Sequence, residues 1–129
     1  MTADREVVTA PGAPAAIGPY SHAVRSGGLL FCSGQIPLDP DSGELTGHNP
    51  AEQARRCLQN LEAVCAAAGT SLSRALRLTV YMTDLEAFGA VNEVYATFFE
   101  GADAPARVAI GVAALPKEAQ VEIDAVIAL

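Results

Sequence analysis

Apolar and polar side chains alternate over 75–83. Leu76, Leu78, Val80 and Met82 fall on one side, and Arg77, Thr79, Tyr81 and Thr83 on the other. A period of two is that of a half-buried strand. The preceding segment has a helical period instead. Ala54, Cys57, Leu58, Leu61, Cys65 and Ala68 line one face of a helix that Asn49-Pro50-Ala51-Glu52 opens and Gly69 ends. Asp84 is placed to cap a second helix, with Leu85, Phe88, Val91, Tyr95, Phe98 and Phe99 on its apolar face and Gly101 at its stop. Segments 21–25 and 29–33 flank Gly27-Gly28, a hairpin signal. A short strand is expected within Glu6-Val7-Val8-Thr9, and Pro11-Gly12-Ala13-Pro14 and Gly18-Pro19 mark an extended arm. Two final strands are expected over 106–113 and 120–129, joined across Leu115-Pro116-Lys117-Glu118.

The order is therefore three strands, a helix, a strand, a helix and two strands. Two strand–helix crossovers in one sheet predict an α/β (α+β) fold: a mixed sheet of about six strands with both helices on one face. The other face would be bare, and its simplest cover is another subunit. With 129 residues the chain is expected to form a single domain over 1–129.

Half of the residues are hydrophobic and 18% are charged, which favours a packed globule over disorder. No apolar run approaches the ~20 residues of a membrane helix. Met1-Thr2-Ala3-Asp4-Arg5-Glu6 shows no basic stretch leading into an apolar one, so the expected location is the cytoplasm. The net charge is −7 and Lys117 is the only lysine, so a nucleic-acid footprint is not expected. Arg55, Arg56, Arg74 and Arg77 read as solvated face residues. Cys32, Cys57 and Cys65 lack metal-type spacing and read as packed small hydrophobes; His22 and His48 do not form a ligand pair.

Two charges stand out against apolar surroundings: Arg107 in Pro105-Ala106-Arg107-Val108-Ala109-Ile110, and Glu122 near the start of the last strand. Burying either is costly unless it is paired or used. One account is a structural salt bridge between them. The other separates their roles, with Arg107 gripping a carboxylate and Glu122 positioning or activating a water. Three more positions join them. Ser33-Gly34-Gln35 lies where a strand opens into a turn, Tyr20 follows the rigid Gly18-Pro19, and Asn92 interrupts the apolar face of the second helix.

These residues fall in three blocks: Ala13-Pro14-Ala15-Ala16-Ile17-Gly18-Pro19-Tyr20-Ser21, Ser33-Gly34-Gln35-Ile36-Pro37-Leu38-Asp39-Pro40, and Pro105-Ala106-Arg107 through Leu115-Pro116-Lys117 to Val121-Glu122-Ile123. In them the chain resembles the reactive intermediate deaminases, the RidA or YjgF-type branch of the Rid family, over nearly its whole length. The resemblance implies a chorismate-mutase-like fold and a homotrimer with three clefts between subunits. It implies hydrolysis of reactive enamines and imines, of the 2-aminoacrylate and 2-iminobutyrate type, to 2-keto acids and ammonia, with no metal or organic cofactor. By the same resemblance Arg107 binds the substrate carboxylate, Glu122 lies near the catalytic water, and Tyr20, Ser33, Gly34 and Asn92 contact substrate. Many members carry cysteine where this chain has Ala109, which speaks against thiol chemistry; the Ala109 carbonyl remains available to a substrate nitrogen. Three other functions compete: an endoribonuclease or translation inhibitor, a non-catalytic or chaperone-like trimer holding small acids, and a pathway deaminase of a larger imine.

Overall fold

Residues 4–129 are described by the computed structural model; the Met1-Thr2-Ala3 part of the leader argument lies outside them. Six strands form one sheet: β1 (Glu6–Val8), β2 (Ala23–Ser26), β3 (Leu29–Gln35), β4 (Ala75–Met82), β5 (Ala106–Gly111) and β6 (Val121–Ala128), in the order β1-β2-β3-β6-β4-β5. The last strand enters the middle. It pairs antiparallel with both β3 and β4, which therefore run parallel to each other, while β4 and β5 pair parallel directly. Each parallel relation needs a crossover, supplied by α1 (Pro50–Ala67) and α2 (Phe88–Thr97). The expected mixed sheet with two helices is what forms.

Local signals explain the boundaries. Asn49 Oδ1 accepts the Glu52 N–H at 2.9 Å, and Glu52 Oε1 accepts the His48 N–H at 2.9 Å, closing the start of α1. Gly27 and Gly28 both adopt positive φ, as the tight β2–β3 hairpin requires. Ala54, Cys57, Leu58, Leu61, Val64 and Cys65 of α1 are buried against Leu78, Val80, Met82, Val121, Ile123 and Ile127 of the sheet, with Val91, Tyr95 and Phe99 completing the core from α2. Burial alternates strictly along β6, residue by residue, as the period of two predicts.

The structure corrects three details. Leu76 is 48% exposed, because the β4–β6 register shifts between Ala75 and Arg77 and the extra residue is turned off the core face. Leu85 is exposed in a 3₁₀ turn, Leu85–Ala87, that precedes α2, although Asp84 accepts the Glu86 N–H as a cap. The β5 segment is not a buried strand; it is the sheet edge and most of it is exposed.

The sheet face away from the helices is left open. Phe31, Val108 and Ile110 are each 40% or more exposed there, and β6 presents Glu122, Asp124 and Val126 half-buried among them.

The arm before β2 is tied down by one buried histidine. His22 Nδ1 accepts the Ala10 N–H at 2.8 Å, so Nε2 carries the proton and donates to the Pro14 carbonyl at 2.8 Å. Removing the ring orphans two main-chain groups and loosens the segment that carries Tyr20. His22→Ala is expected to cost about 2–4 kcal/mol, measured as a fall in the urea midpoint with little change in slope.

Candidate active site

The residues expected to share one site form two groups, on different parts of the surface. Tyr20, Ser33, Gly34 and Glu122, with Ile17, Ile36 and Pro116, line a concavity of about 280 Å³. Arg107 and Asn92, with Tyr95, Phe99 and Pro105, line another of about 590 Å³.

The first group is built around an irregularity in β3. Cys32 pairs with Ala125 and Gln35 with Ile123, so β3 spends three residues where β6 spends two. Ser33 and Gly34 lie in that bulge. Ser33 is pinned to the strand before it: its N–H donates to the His22 carbonyl at 3.0 Å and its Oγ donates to the Ser21 carbonyl at 2.6 Å. With its proton committed, the hydroxyl offers lone pairs to an incoming donor. The Tyr20 hydroxyl accepts the Ile17 N–H at 3.3 Å, which leaves its own proton free to donate outward.

Glu122 projects from β6 toward Gly34. A methyl group at Gly34 would sit on a Glu122 carboxylate oxygen and 3.0 Å from its Cδ. The glycine is therefore the space the carboxylate occupies, whereas its φ is not in the left-handed range. Burial, and after it the charge of Asp124, raises the Glu122 carboxyl above the ordinary glutamate value. A carboxylate so placed is a better proton acceptor than a solvated one.

The second group fixes an arginine. Arg107 Nη1 donates to Asn92 Oδ1 at 2.7 Å, and the guanidinium lies 5.1 Å from the Phe88 ring centre and 5.0 Å from that of Tyr95. Asn92 and the two rings hold the fork on α2 while its remaining N–H donors face outward, an arrangement that suits a carboxylate.

Strand alternation separates Arg107 from Glu122. Arg107 is aligned with Leu78, a core residue on the helix side, while Glu122 is aligned with Tyr81 on the open side. Among the described residues the two form no ion pair, so the structural salt-bridge account is set aside. Ala109 is aligned with Val80 on the Arg107 side and packs partly against the core. The three cysteines are buried and free; Cys57, whose Sγ donates to the Val121 carbonyl at 3.5 Å, has its thiol pushed up by burial. Among the described residues no group of His, Cys, Asp and Glu could hold a metal.

Three contributors were not legible as site residues in the sequence. Phe88 and Tyr95 read simply as core, and their second task, carrying the guanidinium, depends on where β5 lands. Gln53, a polar residue of α1, is buried, and its Oε1 accepts the Gln120 N–H at 2.7 Å, fastening the segment that leads from Pro116 into Glu122. Gly34→Ala provides a direct test of the Glu122 cradle. It is expected to lower turnover on imine substrates by at least about tenfold, corresponding to ~1.4 kcal/mol of lost transition-state stabilisation, with a thermal midpoint close to that of the parent.

Comparison with known proteins agrees with the architecture. A family model described as Endoribonuclease L-PSP matches residues 10–129. RutC family protein y4sK of Sinorhizobium fredii (strain NBRC 101917 / NGR234) is 51% identical over 124 residues, 96% of this chain and 98% of that protein. The 2-iminobutanoate/2-iminopropanoate deaminase of Mus musculus is 45% identical over 122 residues, 95% of this chain and 90% of that one. The crystal structure of E. coli TdcF with bound serine matches with a TM-score of 0.91 at 40% identity, covering 96% of this chain and 98% of that one. With the mixed sheet, the two crossover helices and these likenesses over nearly its full length, the chain belongs to the Rid family, whose members are also described as RutC and endoribonuclease L-PSP proteins.

Proposed function

We propose that this protein hydrolyses reactive 2-imino acids to 2-keto acids and ammonia in a site assembled between copies of the chain. The observation that carries the proposal is the split itself. An arginine with free donors lies on one side of the sheet, and a half-buried carboxylate beside a serine and a tyrosine lies on the other. Apposing the Arg107 edge of one copy to the Glu122 concavity of the next joins both halves. It also covers Phe31, Val108 and Ile110 on the open face, which a lone chain leaves in water. Three copies around an axis, each giving one edge and one concavity, close the ring without a free end.

In such a cleft Arg107, steadied by Asn92, holds the substrate carboxylate through parallel N–H···O bonds. Glu122 takes a proton from water as the water oxygen adds to the imine carbon. Glu122 passes that proton to the imine nitrogen, which completes the carbinolamine. In the collapse Glu122 takes the hydroxyl proton as the C=O bond forms and gives it to the nitrogen, which departs as ammonia as the C–N bond breaks. The Ser33 lone pairs and the Tyr20 hydroxyl are placed to orient the substrate nitrogen and oxygen. The sequence relatives named as 2-iminobutanoate/2-iminopropanoate deaminases, and the serine held by TdcF, support a small amino-acid-like substrate.

Keto-acid release from freshly generated 2-iminobutyrate is the test. The parent protein is expected to accelerate it, and Arg107→Ala to lose about 100-fold or more in kcat/KM, because charge-assisted bidentate bonds to the carboxylate are gone. Neither Arg107→Ala nor Glu122→Gln should be active alone. Co-refolded in equal amounts, they are expected to recover about a quarter of parental activity, since one cleft in four then receives both intact halves. A mixture as inactive as its components would place the whole site within one chain and sink the shared-cleft proposal.

A further inference from the structure

The open face of β6 carries a second carboxylate that the proposed mechanism leaves unused. Asp124 follows Glu122 by two residues, so the two side chains leave the strand on the same face with their backbones about 7 Å apart. Both are half-buried. Asp124 is also held: the Tyr81 hydroxyl donates to its Oδ2 at 2.9 Å. Tyr81 is the β4 residue directly opposite Glu122 in the ladder, so it reaches diagonally past Glu122 to take Asp124. That bond keeps the Asp124 carboxyl group at a set place beside Glu122.

The surroundings of Glu122 offer little else that titrates. From the arm comes Tyr20, and from β4 Tyr81. The β3 bulge contributes Ser33 and Gly34, which carry no charge. Beneath the sheet, Cys57 of α1 is a buried thiol kept neutral by that burial. Under the shared-cleft proposal, Arg107 of a neighbouring copy faces it across the substrate.

We propose that Asp124, fixed by Tyr81, is a positioning residue for the reaction: its negative charge on the same strand face sets the pH at which Glu122 takes up and gives back its proton. A like charge that cannot move away disfavours ionisation of Glu122, so Glu122 holds a proton more strongly once it has taken one from water. This inference deepens the deaminase proposal and rests on Glu122 being the proton acceptor. It also accounts for an acidic residue on a strand face that is otherwise suited to apolar contact.

The sign follows directly. Water activation needs ionised Glu122, so kcat/KM falls on the acid side as Glu122 protonates. Removing the Asp124 charge makes Glu122 easier to ionise, and that acid limb moves to lower pH. Asp124→Asn is the sharp variant, because its amide oxygen still accepts from Tyr81 and only the charge is lost. The pH profile of kcat/KM would be recorded for the parent, Asp124→Asn and Asp124→Ser. In parallel the Glu122 carboxyl carbon would be titrated by ¹³C NMR in the same assembled proteins.

Both readouts are expected to move to lower pH in Asp124→Asn and Asp124→Ser. Tyr81→Phe, which removes the hydrogen bond and keeps the charge, is expected to move them less than Asp124→Asn does. An acid limb and a Glu122 titration that both stay in place in a folded, fully assembled Asp124→Asn or Asp124→Ser protein would overturn the inference. Should the titration move in a protein that accelerates no imine, the coupling of the two carboxyls stands and the deaminase proposal falls, so the two failures are told apart.

Discussion

Side chains on a strand alternate between its two faces, and everything at this site follows from that constraint. The helices α1 and α2 cover one face of the sheet, and β6 meets them with Val121, Ile123, Ala125 and Ile127. Its other side chains must then face outward, and Glu122 and Asp124 are among them. The same constraint puts Arg107 on the helix side of the edge strand, within reach of Asn92, Phe88 and Tyr95. No rotamer change could bring Arg107 and Glu122 together through an intact sheet. The chain holds two separate groups of candidate residues, each locally well supported.

The two halves are supported in different ways. The arginine is steadied by a side-chain hydrogen bond and two aromatic faces, so its fork is held while its charge remains available. The carboxylate is positioned by backbone features: a bulge in β3, a glycine that vacates its volume, and a segment fastened by Gln53. Arg107 offers charge in a fixed geometry. Glu122 has its proton affinity raised by burial and, after it, by the neighbouring Asp124.

Three of the arginines are engaged within the fold. Arg56 Nε donates to buried Asn60, Arg74 donates to the carbonyls of Ala128 and Leu129, and Arg25 binds the Ala68 carbonyl while pairing with Glu6. Each serves the fold, consistent with the net charge of −7.

Much was legible in the sequence because it rests on local rules. Hydrophobic period located both helices and the main strands, Asn49 and Gly27-Gly28 marked a cap and a hairpin, and two charges in apolar runs pointed to Arg107 and Glu122. What those rules cannot contain is which strands become neighbours. That β6 enters the centre and β5 becomes an edge is decided by long-range pairing, and it alone determines that Arg107 is exposed and stacked on α2 instead of buried beside Glu122. The bulges at Leu76 and at Ser33-Gly34 belong to the same class, since a register shift exists only relative to a partner strand. The sequence by itself determined which residues are candidates to carry the chemistry. Tertiary structure decided how they are distributed over two faces, because pairing sets the orientation of every side chain on a strand at once.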